Sequence, residues 1–118
     1  MSATLRRAQA AKALLPREAL ELIAKRFRAL GDPTRLAMLQ SLFAGERTVQ
    51  ELVELTGTSQ ANTSKHLGLL LEQGLVGRRR DGAFVRYRIV DATLEWLCQL
   101  VCGSLAERHE IARAHLPR

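Results

Sequence analysis

Three sets of side chains in this 118-residue chain have types and spacings suited to chemistry. The first is a polar run, Ser59, Gln60, Asn62, Ser64 and Lys65. Gln and Asn can make paired hydrogen bonds to an adenine edge, Ser is a small versatile partner, and Lys reaches phosphate or guanine. The second is a cluster of arginines, Arg78, Arg79, Arg80, Arg86 and Arg88, interrupted by the single acid Asp81. Guanidinium groups at that density suit a polyphosphate backbone, with insertion of an arginine into a minor groove as the sharper variant. The third is Cys98 and Cys102, four residues apart, whose sulfurs would lie on one side of a helix and could hold a soft ion.

The elements that must position these groups can be read from periodicity and caps. Ser59 is a good N-cap, and Leu67, Leu70 and Leu71 form a buried stripe on the helix it opens. Gly74 stands where a left-handed residue would end that helix. The free N–H groups at Ser59 and Gln60 also favour a phosphate. Asp81-Gly82 is the expected two-residue turn of the following hairpin. On its second strand Arg86 and Arg88 share one face while Val85, Tyr87 and Ile89 share the other, and Arg78 and Arg80 belong to the partnering strand. The apolar face should pack on the helices and leave the arginines outward. His66 borders the buried stripe and reads as a packing or hydrogen-bonding residue.

Upstream, residues 17–30 place Leu20, Ile23, Phe27 and Leu30 on one helical face, with Gly31 at the end. Asp32 and Pro33 supply the N-cap and first position of the next helix, whose buried row is Leu36, Leu39 and Leu42 before Gly45. Thr48 to Glu51 is a capping box opening a helix that buries Val49, Leu52 and Val53 and stops at Gly57. The short Gly-containing gap before Ser59 is the helix-turn-helix spacing. Residues 92–115 read as a long last helix. Leu94, Leu97, Cys98, Val101, Leu105 and Ala112 line one side, with Trp96, Leu100 and Ile111 toward the other. An apolar surface that wide needs two partners, its own domain and a second copy.

The fold class expected is mainly α with a small β-hairpin, a winged helix-turn-helix of five or six helices, dimeric. Residues 1–17 would form a basic N-terminal arm, and 18–116 one domain that dimerises through its first and last helices. The arm is rich in Arg and Ala without an acid, and is read as a basic arm rather than a transit peptide. Eighteen Lys and Arg against twelve Asp and Glu give a net charge of +6, which suits a polyanionic partner. Two cysteines are no disulfide framework, so a reducing cytoplasm is the expected compartment. No apolar run reaches membrane-span length, so no membrane partner is expected. Catalysis is not expected either. There is no His–carboxylate pair, glycine-rich phosphate loop or close acid dyad, and consecutive Ser64, Lys65 and His66 point to different faces of a helix.

Asp32-Pro33-Thr34-Arg35-Leu36, Ser64-Lys65-His66-Leu67, Gly74-Leu75-Val76 and a basic hairpin ending Tyr87-Arg88-Ile89 together resemble the ArsR/SmtB family. The resemblance covers roughly residues 18–105. It implies a small dimeric bacterial repressor that binds double-stranded operator DNA, in a family many of whose members let go when metal ions, metalloids or reactive sulfur species bind. The chain departs from the family's sensor patterns. Where arsenic and cadmium sensors often carry cysteines before the recognition helix, it has Glu51-Leu52-Val53-Glu54-Leu55. Of the zinc pattern only Asp91 and Glu107 are present, with Thr93 and Ser104 at the other places, and half a site will not hold zinc. The early cysteine of the persulfide sensors is missing. Cys98 and Cys102 are left as the candidate sensor, for a thiophilic metal or metalloid ion or for thiol redox, against a plain packing role. His109 is on a similar face but about 10 Å further along the axis. No other cofactor is expected. The alternative is a constitutive or partner-controlled DNA-binding regulator with no small-molecule site.

Overall fold

The computed structural model describes residues 14–108. Helix α1 (Arg17–Leu30) begins directly after Pro16, one residue before the domain boundary expected from sequence. Helix α2 (Pro33–Phe43) follows Gly31, and Asp32 caps it by accepting the Arg35 N–H at 2.9 Å. That bond holds the Asp32 carboxyl below its ordinary range, since it favours the charged form. Strand β1 (Arg47–Thr48) leads straight into helix α3 (Val49–Thr56). The capping box forms as read: Thr48 Oγ1 accepts from Glu51 N, and Glu51 Oε1 accepts from Thr48 N. Gly57 ends α3 at φ 72°, a left-handed conformation that favours glycine. Thr58 and Ser59 complete a three-residue turn into helix α4 (Gln60–Glu72), and Ser59 Oγ accepts the Asn62 N–H.

The exit of α4 is a Schellman motif. Leu75 N–H donates to Leu70 O and Gly74 N–H to Leu71 O, with Gly74 at φ 70°. Strands β2 (Val76–Asp81) and β3 (Phe84–Ile89) then form the wing. Asp81 pairs with Phe84, so the two turn residues are Gly82 and Ala83, one position later than the Asp81-Gly82 turn expected. Gly82 supplies the positive φ of 63° that the first turn position needs. The wing is also not a bare hairpin. β1 pairs antiparallel with β3, Arg47 opposite Tyr87 and Thr48 opposite Arg86, giving the order β1-β3-β2. Helix α5 (Thr93–Glu107) closes the described chain. None of the described helices is long and apolar enough to cross a membrane.

The core joins Ala29, Met38, Leu39, Leu42, Leu52, Leu67, Leu70, Leu75, Val76, Tyr87 and Leu94. Leu36, expected in the buried row of α2, is 40% exposed; Met38 takes its place, one turn before Leu42. Val49 and Val53 are only half-buried, as is Leu71. The anticipated face of α1 stays open, with Leu20, Ile23 and Phe27 exposed and only Ala29 fully buried. On α5 only Leu94 is buried, and Val101, expected on the inward side, is exposed with Trp96 and Leu100. Ile111 and Ala112 lie outside the described residues, as does His109. So do residues 1–13, most of the expected arm. The first and last helices therefore carry more apolar surface than the other described residues bury.

Candidate nucleic-acid interface and cysteine pair

Helix α4 is held from two sides by arginines that gather chain ends. Arg35 donates from Nε to Ala29 O at 2.6 Å and from Nη2 to Arg28 O at 3.0 Å, capping α1. Its Nη1 meets His66 Nδ1 at 3.1 Å. A guanidinium can only donate, so Nδ1 accepts and the imidazole proton sits on Nε2. His66 is thus a hydrogen-bonding residue of α4. At the other end Arg26 Nη2 donates to Gln73 O at 2.9 Å, and its Nη1 lies 3.4 Å from Asp91 Oδ2. Arg26 joins α1, the end of α4 and the start of α5. Asp91 also accepts from the Thr93 N–H and hydroxyl, which hold its carboxyl below the ordinary range. The Asp91 of the partial zinc pattern is therefore engaged by Thr93 and Arg26 at the start of α5.

With Thr63, Leu67 and Leu70 inward, α4 turns Gln60, Asn62, Ser64 and Lys65 to solvent. Ser59 spends its oxygen on the cap, and Asn62 Nδ2 donates one of its two N–H bonds to Thr58 Oγ1 at 2.7 Å, leaving the second and the carbonyl oxygen available. Gly68, not singled out from sequence, sits on this exposed face. No atom lies within 4 Å of where its Cβ would be, and its backbone is ordinary. A mid-helix glycine is less favourable than alanine by about 1 kcal/mol, and here no packing need explains it. A bare backbone at that spot lets a partner approach closely.

The five wing arginines fall into different states. Cross-strand register puts Arg78 beside Tyr87 and Arg80 beside Val85, so these two share the sheet face of the apolar residues. Arg79 is beside Arg86 on the opposite face. β2 is an edge strand whose Arg78 to Asp81 stretch stands clear of the helices, so Arg78 and Arg80 are exposed although Tyr87 is buried. Acids claim the other face. Arg79 grips Glu46 through Nε and Nη2, down to 2.7 Å, which lowers the Glu46 carboxyl pKa and raises that of Arg79. Arg86 Nε donates to Asp81 Oδ2 at 2.7 Å and its Nη1 lies 3.7 Å from Glu51 Oε1. The bond from Arg86 depresses the Asp81 carboxyl in turn. Arg86 is therefore engaged within the wing and would have to leave Asp81 to meet a phosphate. Among the described residues no acid lies within ion-pair distance of Arg78, Arg80 or Arg88. Glu46 and its pairing with Arg79 escaped the sequence, because the partners are 33 residues apart.

Cys98 and Cys102 are both free thiols, half-buried on α5. Burial pushes the Cys98 thiol pKa up, and the neighbouring Cys102 pushes it further. Among the described residues no group of three or more His, Cys, Asp or Glu is placed to hold a metal ion.

Residues 32–77 match the model of the bacterial regulatory protein, arsR family. The chain is 48% identical over 77 residues to a Streptomyces lividans protein named "Probable mercury resistance operon repressor", the match covering 65% of this chain and 62% of that one. It is 35% identical over 97 residues to the transcriptional repressor SmtB of Mycobacterium tuberculosis, covering 82% of this chain and 70% of that one. The solution structure of a homodimeric winged helix-turn-helix DNA-binding domain from Mycobacterium bovis superposes with a TM-score of 0.72 at 32% identity, covering 88% of this chain and 98% of that one.

Proposed function

Because this chain belongs to the ArsR/SmtB family of winged helix-turn-helix bacterial regulators, we propose that it is a transcriptional repressor, not an enzyme, that binds operator DNA as a homodimer and releases it to an inducer. One observation carries the DNA-binding half. The second helix of the helix-turn-helix keeps an exposed polar face free of core duty, and the wing that follows it holds Arg78 and Arg80 without acidic partners among the described residues. Gln60, Asn62, Ser64 and Lys65 read base edges in the major groove, and the N-terminus of α4 at Ser59 meets a phosphate. Arg78, Arg80 and Arg88 hold the backbone beside it, with Arg86 joining once released from Asp81.

The exposed apolar residues of α1 and α5 support dimerisation of the 18–116 domain through its first and last helices. The homodimeric Mycobacterium bovis relative supports the same state. Two reading heads then meet half-sites about 34 Å apart. The inducer binds at Cys98 and Cys102, and the mercury-resistance relative adds mercury(II) to the thiophilic candidates. The test is operator selection from random duplex DNA, repeated with arsenite, cadmium, zinc, copper(I), mercury(II) and polysulfide. Palindromic sites bound by a dimer, and a thiophile that releases wild type but not Cys98→Ser/Cys102→Ser, are expected. Equal responses of wild type and double variant would leave a constitutive or partner-controlled regulator.

A further inference from the structure

We infer that Phe84, at the tip of the wing, is an apolar wedge that enters the DNA minor groove beside the major groove read by α4 and opens a flexible base step there. This rests on the DNA-binding reading above. It adds a residue that selects flanking sequence through deformability rather than through hydrogen bonds to base edges. Placement is the first argument. Phe84 opens β3 opposite Asp81 and is 60% exposed. Of the other two phenylalanines, Phe43 packs against the core and Phe27 lies on the apolar face of α1. Phe84 belongs to neither surface, and stands at the opposite end of the hairpin from Val76 and Ile89, which pack on the core.

A lone exposed aromatic is ordinary, so its surroundings must carry the rest. Charge is the second argument. Residues 78–88 hold five arginines against one acid, a net +4 around the ring. Arg80 stands one position before Asp81, and Arg86 shares the ring's own face two positions along β3. That setting suits a partner with anionic rims and an apolar interior. The minor groove has phosphates on both rims and stacked bases within, and Phe is among the side chains that wedge between its base steps. A lipid surface is the weaker match, because one ring beside Gly82 and Ala83 buries little apolar area there.

Reach is the third. The wing is tied to the exit of α4, since Leu75 N–H donates to Leu70 O and Val90 N–H to Leu75 O. From Val76 to Asp81 strand β2 advances about 17 Å, at about 3.4 Å per residue. Half of a ~34 Å helical repeat is also about 17 Å. With α4 in a major groove, the wing is therefore long enough to reach the neighbouring minor groove. Gly82 and Ala83 keep its tip narrow, as a groove about 6 Å wide requires. Unstacking is easiest at the pyrimidine–purine steps TA and CA/TG. Phe84 therefore favours such a step half a turn from the bases that α4 reads, one in each half-site.

The experiment selects operators from random duplex DNA with full-length wild type, Phe84→Thr and Phe84→Leu. Thr keeps the strand propensity and removes the wedge, whereas Leu is itself a wedging residue. On the wild-type site, a 2-aminopurine at the flanking step reports unstacking, and energy transfer between the duplex ends reports bending. Wild type and Phe84→Leu are expected to select TA or CA at the flank, brighten the 2-aminopurine and bend the duplex. Phe84→Thr should keep the bases read by α4 and lose both the flank preference and the bend. It should bind the wild-type site at least about tenfold more weakly. Its slope of log affinity against log salt should not change, because no charge is removed. Bend, brightening and flank preference retained by Phe84→Thr would overturn the inference and leave the DNA-binding reading standing. A shallower salt slope in that variant would place the loss in the arginines and overturn the wedge. Loss of binding to phosphatidylglycerol vesicles, with duplex binding and bending intact, would assign Phe84 to a lipid surface instead. Failure of wild type to select any duplex would remove the DNA-binding reading itself, and the inference with it.

Discussion

Asp81 is the wing residue whose removal should strengthen DNA binding. Its carboxylate holds Arg86 at 2.7 Å, and that bond lowers the carboxyl pKa below its ordinary value. Asp81→Asn removes the charge that competes with phosphate for Arg86. The hairpin should survive, since the positive φ belongs to Gly82 and Asn is a favoured residue beside such a turn. If each protomer gains one phosphate contact, a dimer gains two. The slope of log affinity against log salt should then steepen by about 1.8, at about 0.9 per contact. Between 50 and 200 mM salt the loss of affinity should deepen by about tenfold on that slope. Fluorescence anisotropy with an unrelated duplex, at four or more salt concentrations, reads this directly. Arg78→Ala/Arg80→Ala should move the slope the other way by about 3.6, because two unengaged contacts per protomer are lost. Arg79→Ala should change it less than either, since Glu46 already occupies that guanidinium. An Asp81→Asn slope equal to or shallower than wild type would show that Arg86 does not face phosphate.

Gly68→Ala should stabilise the fold by about 0.5–1 kcal/mol in thermal or urea unfolding while weakening operator binding. Unchanged operator affinity would mean that no partner backbone approaches α4 there. Thr63 is fully buried and its Oγ1 has no hydrogen-bond partner among the described residues, so Thr63→Val should raise stability by about 1 kcal/mol. A loss of that size would instead reveal a hidden partner for the hydroxyl. The Asp32, Glu51 and Asp91 carboxyls accept hydrogen bonds at helix starts and have folded pKa values below their ordinary ones, 3.8 for Asp and 4.5 for Glu. Their contribution is complete above the ordinary values and disappears as pH falls through the lower folded ones. Melting temperature should therefore hold from pH 7 to 5 and drop below about pH 4, and a flat profile to pH 3 would contradict the caps. Arg26→Met should narrow the difference in operator affinity with and without mercury(II), because Arg26 ties the end of α4 to Asp91 at the start of α5. An undiminished difference would route the coupling elsewhere.

Local signals were legible in the sequence and most non-local ones were not. Asp32, Thr48 with Glu51, Ser59 and Gly74 could be read because a cap is settled within a few residues of itself. The stripe of α4 was readable for the same reason. Strand β1 was not, because two residues cannot show an alternation. The wing turn slipped by one residue because Asp81-Gly82 and Gly82-Ala83 both offer a glycine able to take positive φ. Leu36 and Met38 exchanged places because a spacing of three or four admits two rows on α2, and which one faces inward depends on the helices against it. For α1 and α5 the apolar faces were visible, yet the described residues cover little of either.

The arginines show most clearly what sequence counting omits. Read along the chain they are one cationic supply for a polyanion. In the fold they have three kinds of work. Arg26 and Arg35 bind carbonyl oxygens and a histidine to fix where α4 sits. Arg79 and Arg86 are neutralised by Glu46 and Asp81. Arg78 and Arg80 stand without an acid on the exposed end of an edge strand. Apart from the short links of Arg86 to Asp81 and of Arg35 to the end of α1, this sorting depends on partners far along the sequence. Arg35 meets His66 across 31 residues, Arg79 meets Glu46 across 33, and Arg26 meets Gln73 across 47. Net charge therefore fixes the sign of the partner, whereas long-range pairing decides which charges are free to touch it. The residues that hold the reading helix in place and those that would hold its phosphates are chemically alike, and only the acids and carbonyls opposite them tell the two apart.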